Sequence, residues 1–138
     1  MKTLLLTCLL LFTLKAENGN ILSVEISFKT RGTSKIIVID KSKMLYSLNE
    51  EVKTFHLKDA QWKKVFNAAA KLPPGKISSI KGESDKQQVD AAFMTQITIR
   101  TEKKTYSSVM FDDSNPPREF TGLINSIKNI LSEFGSDL

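Results

Sequence analysis

Residues 21–29 alternate between apolar and polar positions. Leu22, Val24, Ile26 and Phe28 fall on one face, and Ser23, Glu25 and Ser27 on the other. A period of two over this length predicts a half-buried strand. Thr30-Arg31-Gly32-Thr33-Ser34 reads as a turn, with Gly32 as the permissive residue. The β-branched run Ile36-Ile37-Val38-Ile39 then predicts a returning strand covered on both faces or nearly so. A second turn at Asp40–Lys43 leads into the strand-like stretch Met44–Leu48, and Val52–His56 adds a short edge strand.

The period then changes. Trp62, Val65, Phe66, Ala69 and Leu72 form one apolar stripe at helical spacing, which predicts a helix from Lys58 or Asp59 to Leu72. Asp59 suits its positive end, and Pro73-Pro74-Gly75 stops it. Leu57 is placed to pack on Trp62 as a staple. From Lys76 to Asp90 no period holds; Ile77 and Ile80 stand alone, and residues 81–88 are wholly polar. Such a long irregular segment is a place where function tends to sit. Residues 93–100 and 104–111 predict a hairpin around Thr101-Glu102-Lys103. Asn115 as cap and Pro116 as first helical residue then open a last helix, whose stripe is Phe120, Leu123, Ile124, Ile127, Leu131 and Phe134, closed by Gly135.

The order is ββ(β)αββα. Each helix has one apolar stripe, so the expected class is α+β: an antiparallel sheet of four to five strands with two helices packed on one face. Trp62, Phe66, Phe120, Ile124 and Ile127 should meet Val24, Ile26, Ile97 and Ile99.

The first residues follow a different logic. Met1-Lys2 is a short positive start, and Leu4–Leu14 is an apolar run of 11 residues with seven leucines. Lys15-Ala16 and a polar stretch follow. Eleven residues are too few to cross a bilayer as a helix, which needs about 20. The pattern is that of a secretory signal peptide over 1–16, cut after Ala16, leaving a single domain over 17–138. Export to the bacterial periplasm or the medium is therefore expected, with no transmembrane segment in the mature chain. Cys8 is the only cysteine and lies within the signal, without the small residue that precedes a lipid-bearing cysteine. The mature chain then has no disulfide, no thiol nucleophile and no cysteine-type zinc site.

The whole chain has 20 Lys and Arg against 15 Asp and Glu, a net charge of +5. Loss of Lys2 and Lys15 leaves +3, enough to favour an acidic partner or surface weakly. The cations are interleaved with acids, so no nucleic acid is expected.

Candidate chemistry is sparse. His56 is the only histidine, which excludes a multi-histidine metal site and reads as a surface residue. Asp112-Asp113-Ser114-Asn115 has the oxygen-rich composition of a calcium loop but lacks its spaced ligands and bidentate Glu; capping explains it without an ion. Glu83, Asp85, Asp90 and Asp112 supply carboxylates for a small hydrolase only if the fold brings them together. Trp62 reads as core. No cofactor and no metal are expected, and the chain reads as a non-enzyme. The turn Lys29–Lys35 combines Lys29, Arg31 and Lys35 with Gly32 and three hydroxyls, a composition suited to an oxyanion.

With both helices on one side, the other sheet face is open to water or a partner. It should carry Ser23, Glu25 and Ser27, and also Tyr106 and Met110 provided Val109 and Phe111 point inward. Lys29, Arg31, Lys35, Tyr106 and Met110 are thus the expected interaction surface, since aromatic, Met and Arg residues are enriched at interfaces.

The order hairpin, helix, hairpin, proline-led helix, from Ile26-Ser27-Phe28-Lys29-Thr30-Arg31-Gly32 to Pro117-Arg118-Glu119-Phe120, resembles that of emfourins, small bacterial inhibitors of thermolysin-like metalloproteases. The family's double glycine is here a single Gly32, and residues 41–57 exceed the pattern. The resemblance implies a non-enzymatic role and assigns no inhibitory residue. The leading reading is an exported, non-catalytic binding module with a protein partner in the cell envelope or medium. The alternatives are an emfourin-like inhibitor, a carboxylate hydrolase, and a carrier with an apolar cavity between sheet and helices.

Overall fold

A computed structural model describes residues 19–81 and 93–136. The signal segment with its cut after Ala16, most of the polar stretch 81–88 with Glu83 and Asp85, and Asp90 beyond it lie outside the described residues.

The fold is α+β. Strand β1 (Ile21–Thr30) is the centre of an antiparallel sheet, flanked by β2 (Thr33–Asp40) and β5 (Met94–Thr101). Beyond β2 lie β3 (Lys43–Leu48) and β4 (Glu51–His56). Beyond β5 lie β6 (Thr105–Ser107) and the short β7 (Phe111–Asp112), both paired to β5. Seven strands replace the expected four to five for two reasons. Residues 41–57 form a full hairpin, and the final strand is divided in two.

Local chemistry sets each reversal. Gly32 takes φ 84°, a conformation open to glycine at little cost. Asn49 and Glu50 both take positive φ (47° and 78°), the pattern of a type I′ hairpin. Asn49 is the residue tolerant of it, and it anchors the turn. Its Oδ1 accepts the Ser34 N–H at 2.8 Å, and its own N–H donates to the Ser34 carbonyl at 2.9 Å. Between β2 and β3, Asp40 Oδ1 accepts the N–H groups of Ser42 (2.8 Å) and Lys43 (3.0 Å) and the Ser42 hydroxyl (3.0 Å). Asp112 repeats the device after β7, with Oδ1 bonded to the Ser114 N–H (2.9 Å) and hydroxyl (2.8 Å). The Asp-x-Ser spacing is what both turns share.

Helix α1 (Asp59–Ala70) and helix α2 (Thr121–Glu133) lie on one face of the sheet. Val24 sits between Ile39 and Ile99, and Ile26 between Ile37 and Ile97; all six side chains are fully buried. Trp62, Val65, Ala69, Phe120, Ile124 and Ile127 cover them, as the helical stripes predict. Phe111 stacks on Phe120 (5.5 Å) and Phe55 on Phe134 (4.7 Å). Phe66 is only half-buried, beside Trp62 at 6.0 Å.

Gln61 joins the helices at one end. Its Oε1 accepts the Lys58 N–H at 2.9 Å, and its Nε2 donates to Glu133 at 2.6 Å. The start of α1 therefore lies by the end of α2, and the two run antiparallel. Gly135, at φ 73°, ends α2, with the Ser136 N–H returning to the Leu131 carbonyl at 3.2 Å.

Two segments depart from expectation. Residues Pro74–Ser79, expected as loop, form a 3-10 turn that buries Ile77 completely. The last helix begins later than Pro116: a 3-10 turn at Arg118–Phe120 leads into α2, and Asn115 does not cap it. The cause is the second proline. A residue preceding proline is pushed out of the helical region, so Pro116 cannot start a helix, and Pro117 itself is extended (φ −52°, ψ 138°).

Candidate interaction surface

Side chains alternate across the pleat, and cross-strand partners share a face. The face away from the helices therefore follows from the register. Its middle row is Thr54, Leu45, Val38, Glu25, Thr98 and Ser107. The next row is Val52, Ser47, Ile36, Ser27 and Gln96. Ile36, Val38 and Leu45 are half-buried, and Val52 is 61% exposed. No helix among the described residues covers this face. It carries an apolar patch over β2, β3 and β4, and hydroxyl, amide and carboxylate groups over β1 and β5.

At one end of the patch the β1–β2 and β3–β4 turns enclose a shallow basin of about 670 Å³. Lys29, Thr33, Ser34 and Ser47 line it with Ile36 at its floor, and Asn49 and Glu50 close its rim. One cation, several hydroxyls and one carboxylate give it mixed polarity.

The five residues expected to form one surface do not. Lys29 is exposed on the open face, beside Ser34 and Met94, and Arg31 is exposed in the turn at its end. Lys35 pairs with Phe28 and Leu48, so the pleat sends it to the helix side, where its Nζ lies 5.4 Å from the Phe93 ring centre. Tyr106 pairs with Ile99 and also faces the helices, half-buried, with Lys104 Nζ at 5.9 Å from its ring. Met110 is 39% exposed beside Val109 at 43%, both at the outer edge of β5.

A β-bulge accounts for Tyr106 and Met110. Thr98 pairs with Ser107 and Thr95 with Phe111, so three steps on β5 answer four on the facing strand. The extra residue reverses the side-chain alternation. Tyr106 and Phe111 thereby both reach the core, which an unbroken strand forbids, and Val109 points outward instead of inward. Ser108 holds the bulge. Its N–H donates to the Ile97 carbonyl at 2.8 Å, its hydroxyl accepts the Ile97 N–H at 3.0 Å, and its carbonyl accepts Gln96 Nε2 at 2.9 Å.

The run Ile36–Ile39 was expected to be covered on both faces or nearly so; Ile37 and Ile39 are buried, and Ile36 and Val38 are half-buried. Ile36 and Val38 are apolar residues on an uncovered face.

Other candidate residues stand apart. His56 is exposed at the end of β4, opposite Lys43. Asp112 is 3% exposed and engaged by Ser114, a turn role in which its Oδ1 is already bonded. Among the described residues no group of three or more His, Cys, Asp or Glu side chains is placed to hold a metal ion. Burial alone would raise the Asp40 carboxyl, but the hydrogen bonds from Ser42 and Lys43, with the Lys43 charge, outweigh it and hold the group below its ordinary value of 3.8. Among the described residues no helix is long and apolar enough to cross a membrane. Comparison of the chain with protein-family models, with curated proteins and with solved structures gave no match.

Proposed function

We propose that this chain is an exported, non-catalytic binding module that engages a protein partner in the cell envelope or the medium through the open sheet face. The observation that supports this is the patch of Ile36, Val38, Leu45 and Val52 on a face that no helix among the described residues covers, bordered by polar groups and by the Lys29 basin. An apolar centre with a polar rim is the usual build of a protein-protein contact. The carrier reading has less support, because Phe111, Phe120, Trp62 and the isoleucine rows fill the space between sheet and helices. The hydrolase reading loses Asp112 to its turn.

The test is photo-crosslinking from Val38 in the producing cells, with the captured protein identified and its binding to purified wild type measured. A Val38→Glu/Leu45→Glu variant should lose that binding at least tenfold while its thermal midpoint moves by only a few degrees. Equal binding by the variant would place the contact elsewhere. A thermolysin-like protease belongs in the same assay, since inhibition lost in the variant is the outcome the emfourin resemblance implies.

A further inference from the structure

The helix layer carries a charge asymmetry that the sheet-face reading does not use. Helix α1 and its caps hold Lys58, Lys63, Lys64 and Lys71 against Asp59. Lys76 and Lys81 follow it. The lead-in to α2 and the helix itself hold Arg118 and Lys128 against Glu119 and Glu133. Eight cations thus face three acids in 58–81 and 118–133, whereas the other described residues divide nine against seven. All eight cations are exposed. No ion pair joins any of them to a described acid, and Glu133 is already bonded to Gln61.

We infer that the outer face of the α1–α2 layer adsorbs to an anionic phospholipid surface. Two antiparallel helices side by side present a broad face of spread charge, not a deep pocket, which suits a plane of headgroups. The groove between them, about 420 Å³, has Lys64 and Lys71 on the α1 wall, Ser126 and Asn129 on the α2 wall, and the carboxylates of Glu119 and Glu133 as well. Two lysines against two carboxylates leave the groove itself near neutral, so the attraction is that of the whole layer, eight cations against three acids. Among the described residues the large exposed apolar side chains, Leu22, Val52, Val109 and Met110, lie on the sheet or in its β6–β7 connection. Contact at the helix face is therefore made by charge without insertion, and it falls as salt screens it. Each cation brought near an anionic leaflet strengthens binding roughly fivefold.

Co-sedimentation of the full chain with phosphatidylcholine vesicles, and with vesicles containing 30% phosphatidylglycerol (about one anionic lipid in three, within the range where such attraction operates), tests this. The N-terminal segment carries Lys2 and Lys15, so its hold is common to wild type and variants and cancels only in the comparison between them. The expected result is tighter binding to the anionic vesicles, reversed by added salt. Lys63→Glu/Lys64→Glu should abolish that preference. Lys43→Glu/Arg100→Glu, which moves net charge equally on the open sheet face, should leave most of it. Equal loss in both variants would show that net charge and not this face is responsible, and overturn the inference. Retention on heparin at near-physiological salt without any vesicle preference would also overturn it, in favour of a soluble polyanion.

Discussion

The hydroxyl of Thr95 is the most exposed weakness of the core, because it is not exposed at all. Thr95 is 0% accessible, faces the helices between Phe28 and Phe111, and its Oγ1 has no hydrogen-bond partner among the described residues. Unfolding returns that hydroxyl to water, so the folded state bears the desolvation penalty of an unsatisfied polar group, about 1–3 kcal/mol. Thr95→Val replaces the hydroxyl by a methyl of nearly the same shape and should stabilise the protein by about 1–2 kcal/mol, allowing for imperfect packing. For a domain of this size that is roughly 3–8 °C in Tm. Trp62 is the only tryptophan and is 8% exposed, so its fluorescence reports the loss of the helix-sheet core directly. Urea unfolding followed at that wavelength gives the free-energy change. Thr95→Ser is the matched control: it keeps the hydroxyl, removes a buried methyl, and should destabilise by about 1 kcal/mol. A loss of stability in Thr95→Val would refute the reasoning, since it would mean that the hydroxyl is satisfied in solution.

Phe120 is fully buried against Phe111, so Phe120→Ala should cost about 3–5 kcal/mol by urea unfolding, a large share of the 5–15 kcal/mol typical of a domain. Phe66→Ala, at a half-buried site, should cost clearly less; equal losses would mean the two helix faces are packed alike. Asp40 supplies a pH dependence. Folding lowers its carboxyl below 3.8, so the folded state favours the deprotonated form, and the resulting stability is complete above about pH 5 and lost as pH falls through the folded value. Wild type should thus exceed Asp40→Asn in stability at pH 7, with the gap narrowing as pH falls below 3.8; a constant gap in parallel melts would assign the difference to geometry instead of charge.

Much of the sheet could be read from the chain because its cues are local. Val24-Glu25-Ile26-Ser27-Phe28 alternates cleanly, and the structure buries the three apolar members and places the other two on the opposite face. The stripes of both helices joined the strand rows in one core, except that Phe66 is only half-buried. The interaction surface was less legible, since it required knowing which side of the pleat each residue of six strands takes. Lys35 depends on its register against Phe28, and Tyr106 on a residue inserted three positions later. Nothing in Ser107-Ser108-Val109-Met110 marks a bulge, because its determinant is the fit of Ser108 to the Ile97 backbone across the sheet.

What the sequence alone determined about this protein is periodicity and punctuation: period two in 21–29, helical spacing in 62–72 and 120–134, Asp-x-Ser and glycine at reversals, and the apolar stretch ahead of a polar N-terminal segment. These act between residues a few positions apart, where backbone geometry is the same in any fold. Tertiary structure decided the rest. The bulge at 107–111 turned Tyr106 inward, the uncovered side of the sheet left Ile36 and Val38 half-exposed, and packing of the two helices on one face gathered Lys58, Lys63, Lys64, Lys71 and Lys128 into one layer. Each of these outcomes depends on which segment lies opposite which, and that pairing is fixed by the burial of the whole core, not by any stretch of chain within it.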